Sequence, residues 1–340
     1  MSTARKLALY EDATQTWGLI EADALAVLAK LPDACVDAIV TDPPYGIAFH
    51  GESWDGADIH QAVRQDGERL SNGEAFERWT SRWATEAARV LKPGGHLLAF
   101  AAPRTFHRLV AGVEDAGLEV RDQLLWVHAQ GAPKSRKLPG GLGTSLKPAY
   151  EPILLARKPL QGTTPRNLEK WGTGALNIDA ARVGKAGYWP ANLTLSHAAG
   201  CTETRCVSDC PAGQLDRVRP DLLPSRLFLH GKASKREREA GCEELRLRSD
   251  LLYGRPTPRL RRNIHPTVKP VQLMRWLIRL AVPPGGIVLD PFTGSGTTGI
   301  AAVMEDRTFL GIEREAAYVD IACARLTHWA AIAAQRKELP

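Results

Sequence analysis

Residues 285–313, GGIVLDPFTGSGTTGIAAVMEDRTFLGIE, constrain the fold more than any other part of the chain. Ile287, Val288 and Leu289 are strand formers, Gly294 and Gly296 break the backbone, Thr297 to Met304 suit a helix, and Thr308 to Ile312 rebuild a strand. Gly294, Gly296 and Gly299 satisfy the pattern G-x-G-x-x-G, and Glu313 closes the next strand at the spacing of an acid that grips ribose hydroxyls. A bare glycine turn would account for Gly294 and Gly296 but not for the placed Glu313. Glycines let a nucleoside-bearing ligand approach the backbone, and a helix N-terminus favours its anionic end. A nicotinamide dinucleotide is one candidate ligand. Two features argue against it: Thr297 and Thr298 replace the small residues over which a pyrophosphate lies, and Asp290 would repel that group. A carboxylate there could instead receive an ammonium group. S-adenosylmethionine offers an adenosine for Glu313 and an amino-acid end for Asp290.

The N-terminal part continues the series. GLIEAD (18–23) reads as a short strand, ALAVLAKL as a helix closed by Pro32, and CVDAIVTD as the next strand. Further strands fit at 96–102 and 118–128, with amphipathic helices around Phe76 to Val90 and Thr105 to Ala116, and a long amphipathic helix ends the chain. Strands alternating with helices predict an α/β fold: a doubly wound Rossmann-like sheet of parallel strands with right-handed crossovers. Ligands of such sheets sit outside the carboxyl ends of the strands. One crevice should therefore hold the turns after Asp42 and Asp290.

The turn after Asp42 is TDPPYGI, residues 41–47. Two adjacent prolines lack amide hydrogens and have fixed φ, so they stop the strand and stiffen the turn. The plain reading is a loop with a solvated aspartate. The sharper one is a rigid shelf of hydrogen-bond acceptors made by Asp42, Pro43 and Pro44, with Tyr45 as a stacking surface. Such a shelf suits an exocyclic amino group, whose lone pair is delocalised into its ring. A carboxylate and a fixed carbonyl that accept its two protons favour the pyramidal, reactive amine. A base so treated must leave its duplex. Methylation at cytosine C5 would need a thiol nucleophile instead, and no Cys here follows a proline.

From 129 to 262 the alternation fades, and Gly, Pro and Arg become frequent. Between Lys134 and Lys170 eight basic residues face only Glu151 and Glu169. A charge run is usually a solvated face; here the basic bias, loop character and Trp171 also suit a nucleic-acid surface. The net charge of +6 and pI near 9.0 agree with a polyanionic partner without requiring one. The 340 residues, 44% hydrophobic, can bury a substantial core as one large domain or two. No signal peptide and no membrane-spanning run is found, so a cytoplasmic protein with no membrane partner is expected. A homodimer is compatible with the sequence but not derivable from it.

TDPPYGI together with LDPFTGSGTTG resembles the amino-methylating DNA methyltransferases, whose catalytic motif is D/N/S-P-P-Y/F/W and whose cofactor motif is D-P-F-x-G-x-G. The catalytic motif comes first, which resembles the circularly permuted β-class arrangement, including phage-like members. HPTVKPVQLMRWL (265–277), LKPGGHLLAF and KPAYEPILLARKP are also similar to segments of that family. The resemblance implies that Asp42, Pro43, Pro44 and Tyr45 are catalytic. It implies that Asp290, Pro291, Phe292, Gly294, Ser295, Gly296, Thr297 and Thr298 surround the methionine and ribose of S-adenosylmethionine, and that Glu313 binds the ribose. Asp23 would meet the cofactor's adenine, with Ala24 nearby, and Thr267 and Lys269 would approach from the other side. It further implies three parts: a catalytic half (1–128), an inserted target-recognition region (129–262) and a cofactor-binding half (263–340).

SHAAGCTETRCVSDCP lies outside that pattern. His197, Cys201, Cys206 and Cys210 have a His-x3-Cys-x4-Cys-x3-Cys spacing that suits a closed tetrahedral zinc site in a segment with little core of its own. Unrelated reduced cysteines are the plain alternative, and Cys242 is a substitute ligand. The expectation is thus a DNA methyltransferase that uses S-adenosylmethionine, at adenine N6 because Asp opens the DPPY motif. Cytosine N4, an RNA or protein target, and a catalytically inactive DNA-binding module with a zinc loop stay open.

Overall fold

The computed structural model describes residues 8–12, 16–64, 68–128, 138–182, 187, 189–195, 201, 206–208, 210, 213–214, 232–252 and 255–338. Its strands are β1 (Ala8–Glu11), β2 (Trp17–Glu21), β3 (Val36–Thr41), β4 (Leu91–Phe100), β5 (Glu119–Val127), β6 (Tyr150–Arg157), β7 (Leu193–Leu195), β8 (Arg248–Leu252), β9 (Arg255–Arg261), β10 (Ile287–Asp290) and β11 (Thr308–Glu313). The helices are α1 (Ala24–Leu28), α2 (Ala57–Val63), α3 (Asn72–Val90), α4 (Phe106–Asp115), α5 (Thr164–Trp171), α6 (Lys235–Glu239), α7 (Val271–Ala281), α8 (Thr297–Met304) and α9 (Ala316–Glu338). Nine strands form one sheet in the order β1-β2-β11-β10-β3-β4-β6-β5-β7, and β8 pairs with β9 as a separate hairpin.

The central strands are apolar on both sides because both faces of the sheet are covered. Ala38, Val40, Leu98 and Phe100 pack with α7, α8 and α9 on one face. Ile39, Leu97 and Ala99 pack with Trp79, Trp83 and Val113 of α3 and α4 on the other. This period-2 division between two helical layers is the doubly wound arrangement that the sequence predicts. Helix α3 starts where Ser71 and Glu74 form a reciprocal capping box.

Two features differ from the sequence reading. The sheet is mixed rather than wholly parallel: β6 runs antiparallel to both β4 and β5, and β1 runs antiparallel to β2. Moreover, β6 and β7 come from the segment 129–262, in which no alternation is legible, yet both join the main sheet. Strand β6 is inserted between two strands that precede it in sequence. The long return through residues 128–149 and the flanking Lys and Pro hide it from a local reading, although Ile153 to Ala156 are fully apolar and buried.

Parallel pairing of β11 with β10 and of β10 with β3 brings the three acid-terminated strands side by side. Asp42, Asp290 and Glu313 therefore emerge at one edge of the sheet. No described helix is long and apolar enough to cross a membrane.

Candidate active site

At that edge lies a cleft of about 1200 Å³, larger than the roughly 300–1,000 Å³ of a pocket for one ligand. It has room for a cofactor and a base together. Among the residues expected at the catalytic and cofactor sites, all line this cleft except Gly296. The two motifs also touch: the Thr41 hydroxyl donates to Asp290 Oδ1 at 2.6 Å.

The shelf at Asp42 is held from several directions. Tyr45 donates its hydroxyl to Asp42 Oδ1 at 2.7 Å, and Lys269 Nζ donates to Asp42 Oδ2 at 2.5 Å. Lys269 also lies 3.3 Å from Glu151 Oε2, and its ammonium stands 5.5 Å from the Tyr45 ring centroid. Burial pushes the Asp42 carboxyl up, against the pull of Lys269. Burial alone would lower Lys269, but Asp42 and Glu151 outweigh it and raise the ammonium above its ordinary value. Lys269, expected on the cofactor side, lines the cleft and places its charge against Asp42.

The backbone after the prolines is fixed by Asp55. This acid is 1% exposed. Its carboxylate accepts from the amides of Tyr45, Gly46 (2.9 Å), Ile47 (3.3 Å) and Phe49 (2.7 Å). Four amides converging on one buried carboxylate make the turn stiffer than two prolines alone could. Burial raises Asp55, while those four donors pull it back.

The cofactor side is built on the turn after β10. Asp290 Oδ1 accepts from the Phe292 amide at 3.0 Å as well as from Thr41. Glu313 accepts from the Gly294 amide through Oε2 and from the Glu315 amide through Oε1, each at 2.8 Å. Burial pushes Asp290 up to about 6 and Glu313 up to about 7. Two buried carboxylates that face one cleft and are raised by desolvation fit a ligand that brings an ammonium group and hydroxyl donors. S-adenosylmethionine has both, and it would supply an electrophilic methyl group on sulfonium.

Other expected cofactor residues serve the turn itself. Ser295, through its carbonyl and hydroxyl, and Thr297, through its hydroxyl, accept from Arg325 Nη1 at 2.5, 3.0 and 3.2 Å. Arg325 of α9 is fully buried. Gly296 adopts φ 80°, and a Cβ there would stand 3.2 Å from the Cα of Ala322 on α9, so its smallness serves helix packing. Phe292 packs 5.4 Å from Trp79 and 5.5 Å from Trp83 by ring centroids. Asp23 caps α1 by accepting from the Ala26 amide at 3.1 Å and still lines the cleft. His265 is stacked edge-on against Tyr318 at 4.6 Å, and burial pushes it down to about 3.

Glu151, Asp55 and Arg325 are not among the site residues expected from the sequence. Glu151 left a signal, since it is one of two acids among eight bases. Asp55 and Arg325 left none, because each acts across a turn or between elements that only the fold brings together. Of the expected metal ligands, Cys201, Cys206 and Cys210 place their sulfurs within 4.8 Å of one another. His197 lies outside the described residues. Cys242 is buried elsewhere, in the electrostatic field of Arg325, and is no substitute ligand.

The chain is 24% identical over 91% of its length to the Type II methyltransferase M.HindIII of Haemophilus influenzae, covering 94% of that protein. It is 23% identical to the Type II methyltransferase M2.LlaDCHI of Lactococcus lactis subsp. cremoris, covering 91% of this chain and 88% of that one. The solved PvuII DNA methyltransferase (cytosine-N4-specific) shares the fold at a TM-score of 0.57 and 16% identity, over 94% of this chain and 92% of that one. The family model for N6/N4 DNA methylases matches residues 36–324. With both motifs in one cleft and that match across most of its length, the chain belongs to the DNA methylase family, as a methyltransferase that moves the methyl group of S-adenosylmethionine to an exocyclic amino group of DNA.

Proposed function

We propose that the enzyme methylates adenine at N6, with Asp42, Pro43, Pro44 and Tyr45 as the shelf for a flipped base. The Asp that opens the DPPY motif favours adenine, and one observation carries the shelf itself: Asp42 leaves β3 beside Asp290 on the adjacent β10, with Thr41 bonded to Asp290 at 2.6 Å. The amine acceptor and the cofactor turn are thereby neighbours. Asp42 accepts one N–H of the amino group, and the Pro43 carbonyl accepts the other. The nitrogen lone pair is then aimed out of the ring plane, and the carboxylate holds negative charge where the nitrogen gains positive charge. Tyr45 stacks on the base while its hydroxyl keeps Asp42 in place. Lys269 and Glu151 hold Asp42 in one rotamer. Asp290 takes the ammonium of S-adenosylmethionine, Glu313 its ribose hydroxyls, and Asp23 and Ala24 its adenine. Thr267, Pro291, Phe292, Gly294, Ser295, Thr297 and Thr298 form the wall.

The segment 129–262 carries target recognition, apart from β6 and β7, which belong to the sheet. The β8–β9 hairpin supplies Arg248 and Arg261 for phosphate or base contacts. The enzyme works where its DNA lies, in the cytoplasm of a bacterial or phage-infected cell, as the modifying partner of a restriction system. Digestion of DNA methylated by the purified enzyme, followed by mass spectrometry of the nucleosides, tests the target. N6-methyladenine is expected. N4-methylcytosine would replace this reading with the cytosine alternative, which the fold shared with a cytosine-N4 enzyme supports.

A further inference from the structure

We propose that Cys201, Cys206 and Cys210 form a structural site for a thiophilic divalent metal, zinc by its ligand set, that fastens the chain beyond edge strand β7. The three cysteines are drawn from a segment of ten residues. Their sulfurs lie within 4.8 Å of one another, and none is in a disulfide. Sulfurs bound at about 2.3 Å around a tetrahedral zinc stand about 3.8 Å apart. Closing the triad on a metal therefore needs only small movements.

Two further observations point to bound metal rather than chance proximity. First, backbone amides are aimed at the sulfurs: Val207 N–H donates to Cys201 Sγ at 3.4 Å and Gly213 N–H to Cys210 Sγ at 3.3 Å. Amides that bond to the sulfurs fix the orientation of metal ligands, as outer hydrogen-bond partners do. Second, the backbone crowds the cluster. A Cβ on Gly213 would stand 2.7 Å from Cys206 Cβ and 3.1 Å from its sulfur, so only glycine brings its amide so close. The Cys210 amide donates to the Val207 carbonyl at 3.1 Å, a local backbone bond between two residues of the cluster segment.

Burial fits a closed structural site. Cys210 is 0% exposed, and Cys201 and Cys206 are half-buried. Among the described residues β7 has three residues and pairs with β5, at the margin of the sheet. A metal crosslink would fasten the chain at that margin. The triad does not line the catalytic cleft, so the metal takes no part in methyl transfer.

The test is metal analysis of full-length protein expressed in zinc-supplemented medium and purified without chelators, beside the variants Cys206→Ser and Cys35→Ser. About one zinc per chain is expected in the parent and in Cys35→Ser, whose half-buried thiol lies in the β3 region. Loss of a ligand should exceed the about 10- to 100-fold affinity loss seen when only a hydrogen-bond partner of a ligand is changed, so Cys206→Ser should emerge nearly metal-free. Calorimetric titration of S-adenosylmethionine into Cys206→Ser should still show a native cofactor site. Should that variant fail to fold, exchange of cobalt into the parent protein decides: thiolate-to-cobalt charge-transfer bands and tetrahedral ligand-field bands are expected. Parent protein that binds S-adenosylmethionine but holds neither zinc nor cobalt overturns the site. Zinc retained undiminished in Cys206→Ser also overturns it, because the metal then lies elsewhere.

Discussion

Replacement of Asp55 should damage catalysis without touching a reacting atom. Its buried carboxylate accepts from four backbone amides between Tyr45 and Phe49. Hydrogen bonds to charged groups contribute roughly 1.5–3 kcal/mol each, but the four are not independent and the loop is half-buried, so water can reach some of the orphaned donors. A net loss of about 3–5 kcal/mol for Asp55→Ala is therefore expected, comparable to breaking a buried charged pair. At about 2 °C per kcal/mol for a large domain, the melting temperature should fall by roughly 6–10 °C. Asp55→Asn should be nearly as harmful. Tyr45 and Gly46 share one carboxylate oxygen while Ile47 and Phe49 share the other, so an amide nitrogen must confront two donors. Both variants should bind S-adenosylmethionine normally and transfer methyl groups slowly. The assay is thermal unfolding beside single-turnover methyl transfer. Unchanged melting and an unchanged rate in Asp55→Ala would refute the reasoning, since the prolines alone would then hold the shelf.

The carboxyl of Glu313 gives a pH prediction. Burial raises it from 4.5 to about 7 in the ligand-free fold, so its contribution to stability is full below 4.5 and is lost as pH rises through 7. Relative to Glu313→Gln, the parent should lose about 3 kcal/mol across that interval, read from denaturant unfolding. Ribose hydroxyls need the charged form, so affinity for S-adenosylmethionine should increase with pH up to about 7, with proton release visible as buffer-dependent heats in calorimetry. Lys269→Met should remove the ammonium that Asp42 and Glu151 share, raise the Asp42 carboxyl further and move the rise of the pH–rate profile upward. An unshifted profile would remove Lys269 from the positioning of Asp42. Gly296→Val should lower melting temperature and cofactor affinity together, because its side chain meets Ala322 of α9 rather than the ligand.

Much of the site was legible because its chemistry is local. DPPY and the glycine turn each lie within one strand-to-helix connection, and strand alternation implies that both open at the carboxyl edge. The hidden part is long-range. Strand β6 reaches its place between β4 and β5 only after a long return, and no periodicity announces such an insertion. Lys269 and Asp42 lie 227 positions apart, so nothing local shows that the lysine of one motif bonds to the acid of the other. The hydroxyls of Ser295 and Thr297 look like ligand donors in sequence, yet Arg325 of α9 uses them to brace the turn.

The central claim is that Asp42 orients the amino group of the base, and single-turnover methyl transfer by Asp42→Ala, measured beside its affinity for S-adenosylmethionine, tests it most directly. Loss of one preorganised hydrogen-bonding group costs about 10²- to 10³-fold, or roughly 3–4 kcal/mol. The account predicts a fall of that size with cofactor affinity nearly unchanged. Near-normal transfer, or a parallel collapse of cofactor binding, would contradict it.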